Sequence, residues 1–248
     1  MDEHLQCDVD AQPNQCRRSP PLGSLIDRFP VEISSRIFSL TINHPDTIHA
    51  RTKKQTKGPL FLGAVSRAWR AIAWTTPQLW AFIHVKISPK TMAMKTELAN
   101  EWLARSGQLP LTIVVSWMKK QTSGASVSID PLIDTINSYA NRWRSLEVKL
   151  PFTPLSRLFS NPVHQNQLEV LKISCLPQRP APTDTPIFAN VNLHPQRVQL
   201  VYLPLDSINL RWDKMTHLDV DEPFIDQCLE ILSHAPHLQY CTFSDIAW

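Results

Sequence analysis

The segment Trp143-Arg144-Ser145-Leu146-Glu147-Val148 carries apolar side chains at its first, fourth and sixth positions. The same spacing returns four more times before the C-terminus. The later sets of anchors are Leu168/Leu171/Ile173, Val198/Val201/Leu203, Met215/Leu218/Val220 and Leu238/Cys241/Phe243. The last two anchors of each set are separated by one residue, as on the buried face of a strand, so each set predicts a strand.

The intervals between the sets suit a repeat protein. Successive first anchors are 25, 30, 17 and 23 residues apart, which brackets the roughly 20–29 residues of a leucine-rich repeat. Such a unit supplies one strand and a return segment, and stacked units bury a continuous core. The asparagine ladder of regular repeats is absent, so the pattern predicts a degenerate, irregular solenoid.

Strand and helix patterns alternate upstream of the repeats. Residues 82–87 alternate apolar and polar side chains and predict a strand. Residues 91–105 predict a helix that closes at a glycine cap, Gly107. Residues 111–117 are β-branched and predict a second strand, and residues 130–143 predict another helix.

The N-terminal part has helical periodicity. Residues 1–21 are polar, contain three prolines and predict a disordered tail. Ile33, Ile37 and Leu40 form one apolar stripe, which predicts a helix over about 30–41 that begins at Pro30. A second helix is predicted from Pro59. Its apolar face comprises Leu62, Val65, Trp69 and Ile72. Thr76-Pro77 predicts a short third helix that ends at Trp80.

Particular residues in these helices follow the order of a known motif. The matching stretches are Phe29-Pro30-Val31-Glu32-Ile33, Ile37-Phe38, Val65-Ser66-Arg67-Ala68-Trp69-Arg70-Ala71-Ile72-Ala73 and Thr76-Pro77-Gln78-Leu79-Trp80. In this order they resemble the F-box, a short helical module that docks its protein onto a ubiquitin ligase. The resemblance covers residues 25–83. Phe29 replaces the usual leucine, Ser66 replaces the usual cysteine, and the loop 43–58 is longer than in compact members.

The resemblance implies a docking surface. F-box modules pack on a Skp-type adaptor, chiefly through apolar side chains. Matched residue by residue, the adaptor-facing candidates are Phe29, Pro30, Ile33, Ile37, Val65 and Trp80. Some of them can instead belong to the module's own core. For Trp69 and Ile72 the core is the favoured role, because tryptophan is a large anchor for so small a bundle.

Three further stretches resemble a family of F-box proteins with leucine-rich-like repeats. They are residues 102–107 with Pro110-Leu111, residues 142–146 and residues 212–218. Members of that family are adaptors without catalytic residues. The resemblance therefore implies a protein that holds a target and makes or breaks no bonds itself.

Composition excludes several other classes of function. The formal net charge of +3 is too small to indicate a nucleic-acid or anionic-membrane partner. Five irregularly spaced cysteines do not form a disulfide framework and suit a reducing compartment. The acidic N-terminus is unlike a signal peptide, and no apolar run is long enough to cross a bilayer.

Candidate catalytic and metal motifs are weak. His234, His237 and Cys241 are possible zinc donors, but Pro236 interrupts the helix between them and a fourth ligand is missing. Gly58 and Gly63 lack the lysine of a phosphate-binding loop, and no nucleophile elbow occurs. The acidic cluster 219–222 is a solvated strand end or, on the sharper interpretation, a target-contacting patch. The basic loop 51–57 is most simply solvated.

These observations predict an α+β protein with an N-terminal three-helix F-box followed by an irregular leucine-rich-repeat-like α/β solenoid. The predicted domains are a tail at 1–21, the F-box at 22–83 and a target-binding domain at 84–248. The predicted function is substrate recruitment to a Skp–cullin–F-box ubiquitin ligase in the cytoplasm or nucleus. The predicted partners are the adaptor, through it a cullin, and an unidentified target.

We predict no enzyme activity, cofactor or metal. The alternative is a repeat scaffold that binds proteins without any ligase. The chain stops five residues after Phe243, so the repeat pattern leaves a last strand uncovered. This predicts either a shortened product or an end that a partner protects.

Overall fold

Seven parallel strands in a single sheet form the centre of the structure. The computed structural model describes residues 25–42, 58–117, 128–158, 167–176, 193–203, 208 and 210–246. The predicted tail at 1–21 and the basic loop 51–57 lie outside them. The strands are β1 (Phe82–Ile87), β2 (Leu111–Trp117), β3 (Trp143–Pro151), β4 (Val170–Leu176), β5 (Arg197–Val201), β6 (His217–Asp221) and β7 (Tyr240–Ser244). Their order in the sheet is their order in the chain.

Seven α-helices precede or connect the strands. They are α1 (Val31–Thr41), α2 (Pro59–Gly63), α3 (Arg67–Trp74), α4 (Met92–Arg105), α5 (Asp130–Asn137), α6 (Phe152–Arg157) and α7 (Ile225–His234). Short 3-10 turns lie at Leu25–Arg28, Pro77–Trp80, Pro89–Thr91 and Ala140–Arg142. The strands predicted at 82–87 and 111–117 are confirmed, and the helix predicted at 91–105 is α4. The helix predicted at 130–143 is shorter, because α5 ends at Asn137.

The predicted fold class is wrong. We expected an α+β chain in two parts, a three-helix F-box followed by a leucine-rich-repeat-like solenoid, and the chain is α/β with one all-parallel sheet. The first strand of that sheet begins at Phe82, inside the segment predicted as the F-box. The second predicted helix is also two helices, α2 and α3. The prediction failed because the spacing of apolar residues identifies individual strands and helices but does not show which strands pair in one sheet.

One register runs through all seven strands. Ile83 of β1 pairs in line with Ile113, Leu146, Leu171, Val198, Leu218 and Cys241 of the later strands. These residues form one inner row, that is, a row on the face of the sheet that packs against the helices. A second inner row runs from Val85 to Phe243 in the same way. The set predicted as Val198/Val201/Leu203 is therefore out of frame, because Leu200 and not Val201 pairs with the inner row. A one-residue slip would turn that strand's apolar side chains away from the core.

Trp80 ends the 3-10 turn before β1 and lies three residues before Ile83, just as Trp143 lies three residues before Leu146 in β3. In β2 a register shift between Leu111 and Thr112 brings Leu111 beside Trp143. Trp80, Leu111 and Trp143 are all buried. The apolar spacing first seen at Trp143 thus begins at Trp80, within the segment that resembles the F-box.

The core lies on one side of the sheet. Helices α4 and α6 pack against the strands on that side, and α5 packs between them. Trp102 of α4 contacts both the buried side chains of this core and those of the N-terminal helices. The helical segment and the sheet therefore form one continuous body. Within the described ranges, no helix is long and apolar enough to cross a membrane.

Gly63, at the end of α2, tests the packing of the N-terminal helices. A Cβ at this position would overlap the ring of Trp74. We expect Gly63→Ala to lower the free energy of unfolding by about 1–3 kcal/mol, since overpacking a filled site costs that much. Gly58→Ala is the comparison, because its Cβ would lie 3.1 Å from the Trp102 ring, a milder overlap than the 2.3 Å at Gly63. Chemical denaturation of both variants measures the difference, and equal stability would contradict the packing described.

Candidate functional site

Helix α1 buries the face opposite to its apolar stripe. Phe38 has no exposed surface and Ser34 is equally buried, whereas Ile33, Ile37 and Leu40 are 49, 37 and 72% exposed. The stripe predicted from sequence is therefore real, but it faces away from the core.

The buried side chains of α1 hold the helix in a fixed orientation. The Phe38 ring lies 4.8 Å from the Trp69 ring, centroid to centroid. Ser34 donates to the carbonyl of Ile26 at 3.5 Å. Ser35 shares a hydrogen bond of 2.9 Å with the hydroxyl of Thr76. Because these contacts all lie on the inner face, the stripe is presented without taking part in packing.

Ser66 stabilises the turn between α2 and α3. Its hydroxyl accepts a hydrogen bond from the backbone N–H of Trp69 at 3.1 Å, as a helix N-cap does. Arg70 closes the same turn by donating to the carbonyl of Gly63 at 2.8 Å. Ser66, which stands where the F-box motif usually has cysteine, thus has a local role, since serine is a preferred N-cap residue. The capped turn leaves Val65 54% exposed.

Trp80 does not belong to the docking surface that the sequence predicted. Its side chain is only 2% exposed, and its indole N–H donates to the carbonyl of Ala73 at 2.8 Å. Its ring meets Trp74 and Trp102 edge to face, with centroids 5.2 and 5.0 Å apart. The sequence motif predicts that a tryptophan stands at this position, but it does not indicate whether the side chain is buried or exposed. In this chain Trp80 is a core residue.

The other predicted contact residues are all exposed. We define the docking stripe as Phe29, Pro30, Ile33, Ile37 and Leu40, and Val65 accompanies it on the turn before α3. Leu60 and Phe61 on α2 are 43 and 52% exposed and were not predicted as contacts. The phase of α2 could have identified them, because Pro59 and Leu62 on the same short helix are buried.

Apolar exposure is concentrated in this part of the chain. Of sixteen large hydrophobic residues that are exposed among the described residues, eight lie between Phe29 and Val65. Scattered apolar side chains are normal on a protein surface, but a helix that exposes a continuous apolar stripe indicates an interaction site. The N-terminal helices therefore present a candidate protein-binding surface.

The face of the sheet opposite the core is a second candidate surface. An open groove of about 660 Å³ crosses it from β1 to β6. Three polar contacts lie within the groove. They are Arg144 to Glu169 at 2.9 Å, Gln199 to Asp219 at 2.9 Å and His84 to Ser116 at 3.1 Å. Partial burial, with Lys86 nearby, lowers the pKa of the His84 imidazole. The groove thus contains charged and polar side chains among apolar ones, whereas the stripe on α1 is apolar.

The motifs considered for catalysis and metal binding are not assembled into a site. His234 ends α7, where its ring nitrogen contacts the carbonyl of Glu230 at 2.9 Å. Cys241 lies on β7, and burial raises the pKa of its thiol. In the part of the chain that the structure describes, no three His, Cys, Asp or Glu side chains are grouped to hold a metal ion.

Comparison of the chain with known protein families, with curated proteins and with solved structures finds no match. The two surfaces are therefore interpreted from this chain's own geometry and from the F-box resemblance of residues 25–83.

Two neighbouring residues of α1 test which face is buried. Phe38→Ala removes a fully buried ring, and we expect it to lower the free energy of unfolding by about 3–5 kcal/mol. Ile37→Ala truncates an exposed side chain, and we expect a change within about 0.5 kcal/mol. Urea denaturation of both variants gives the comparison. A reversed order would mean that the stripe, and not Phe38, faces the core.

Proposed function

We propose that this protein is the substrate-recruiting subunit of a Skp–cullin–F-box ubiquitin ligase. The observation that carries the proposal is the exposed docking stripe on α1, within a segment that resembles an F-box. The residues that the family uses against its adaptor match Phe29, Pro30, Ile33, Ile37 and Val65, and each of them is exposed.

The docking stripe has enough apolar surface for useful affinity. Fully burying a large aliphatic or aromatic side chain contributes roughly 1.5–3 kcal/mol. Phe29, Ile33 and Ile37 are each between 37 and 49% exposed, so each would contribute a part of that amount. These contributions would supply part of the binding free energy, and further contacts around the stripe would have to offset the cost of association.

The rigidity of α1 supports the same proposal. Phe38, Ser34 and Ser35 hold the helix from its inner side, so the stripe does not have to be released from the core before it binds. A preorganised surface loses less conformational entropy on association than a flexible one.

The target would be held on the open face of the sheet. A protein with one surface for a ligase adaptor and another for a target acts by proximity, because it raises the effective concentration of the target's lysines near the ubiquitin-charged enzyme. No bond is made or broken on the chain itself. Its partners would be the adaptor, through it a cullin, and the target, in the cytoplasm or the nucleus.

Adaptor capture tests the proposal. We expect the wild-type chain to bind a Skp-type adaptor directly. Ile33→Ala with Ile37→Ala should weaken binding roughly 30-fold or more, if each truncation costs at least about 1 kcal/mol. Isothermal titration calorimetry with purified adaptor measures both affinities.

A matched control comes from the other exposed apolar helix. Leu229 and Leu232 of α7 are 62 and 53% exposed, so truncating both to alanine removes comparable surface away from the docking stripe. This variant should bind the adaptor normally. Absence of binding by the wild-type chain would refute ligase docking and favour the scaffold alternative.

A further inference from the structure

A row of alternating cations and hydroxyls crosses the open face of the sheet. Lys86 of β1 pairs in register with Ser116 of β2, which pairs with Lys149 of β3, and Lys149 pairs with Ser174 of β4. Adjacent strands are about 4.8 Å apart, so the two lysines stand roughly 10 Å apart. Both lysines are exposed.

The next two rows of the same face add one cation each. Lys172 of β4 pairs in register with Gln199 of β5, and Arg197 of β5 pairs with Val170 of β4. Within the described ranges, no carboxylate lies in ion-pair distance of Lys86, Lys149, Lys172 or Arg197. Four cations thus face the groove side of the sheet without a partner from the described part of the chain.

The carboxylates of the same region are largely engaged. Glu169 is paired with Arg144 at 2.9 Å, and Asp219 accepts from Gln199 at 2.9 Å. Glu147 lies beside Lys172 in strand register, but the two side chains form no ion pair. From β1 to β5 the face therefore has a surplus of positive charge, whereas Asp219 and Asp221 make the β6 end acidic.

We propose that this face binds an extended, acidic segment of the target protein, with carboxylates about three residues apart. The proposal rests on the proposed function and specifies the target's chemistry. An extended segment rises about 3.3 Å per residue, so carboxylates three residues apart span the roughly 10 Å between Lys86 and Lys149. Ser116 supplies a hydroxyl between the two lysines, and Ser174 supplies another beyond Lys149.

The arrangement favours carboxylates over phosphate. A phosphate carries nearly two charges and is best held by several donors that converge on one point. Here the two lysines of the first row stand on strands roughly 10 Å apart, so they are not arranged around one point. Single carboxylates placed along the row meet one lysine each.

Peptide binding to the full chain tests this inference. The probe is a fluorescein-labelled twelve-residue peptide with glutamate at every third position and Gly or Ser between them. The matched probe has glutamine in place of each glutamate, and a third has phosphoserine. Fluorescence anisotropy at 50 and 500 mM NaCl gives the affinities. We expect the glutamate peptide to bind at low salt, to weaken at high salt, and to bind at least tenfold more tightly than the glutamine peptide.

Charge reversal on the face locates the site. Lys149→Glu with Lys172→Glu should weaken the glutamate peptide at least tenfold. Arg36→Glu on α1, an exposed cation away from the sheet, should leave peptide affinity unchanged. Circular dichroism checks that the double variant is folded, and Lys149→Gln with Lys172→Gln is the milder substitute if it is not.

The outcomes separate this inference from ligase docking. The double variant should still bind the Skp-type adaptor, because the docking stripe is intact. Equal binding of the glutamate and glutamine peptides, preference for phosphoserine, or full affinity in the double variant would each overturn the acidic-segment proposal. Adaptor binding would then be decided separately, by the calorimetric measurement with purified adaptor.

Discussion

The packing of Trp80 is the constraint on which the rest of the structure depends. Its ring lies between Trp74 of the last N-terminal helix and Trp102 of α4, while its N–H is held by the carbonyl of Ala73. The guanidinium of Arg105 lies 5.3 Å from the ring centroid. Trp80 also lies two residues before β1, at the end of the 3-10 turn. Its contact with Trp102, which packs against both buried clusters, joins the helical segment to the sheet.

Packing leaves two surfaces uncovered. The inner face of α1 packs on Trp69 through Phe38, so the stripe that contains Ile33 and Ile37 is exposed. The sheet packs its helices on one side, so its charged face is exposed as well. Both surfaces belong to segments that are joined through the packing of Trp102.

The sequence predicted the local elements well, because alternation and helical spacing are local signals. Strands β1 and β2 and the stripe Ile33, Ile37 and Leu40 were identified correctly. The direction of the stripe was not predictable, since periodicity shows that one face is apolar but not whether another element covers it. Trp80 was misassigned for a similar reason, because a motif does not distinguish a core tryptophan from a contact residue. Two features depend on how the strands pair with one another: which residues of β5 face the core, and the fact that all seven strands form one sheet. The apolar pattern of a single strand carries no information about pairing, so neither feature was predictable.

Hydroxyl-radical footprinting of the chain, with and without a Skp-type adaptor, tests the central claim most directly, because it measures the solvent access of individual side chains. The account predicts that the adaptor lowers the modification of Phe29, Ile33, Ile37 and Val65. It predicts that Trp80 is protected in both states and that Lys149 and its neighbours on the sheet face are unchanged. Unchanged modification along α1 in a complex that does form, or protection confined to the sheet, would contradict it.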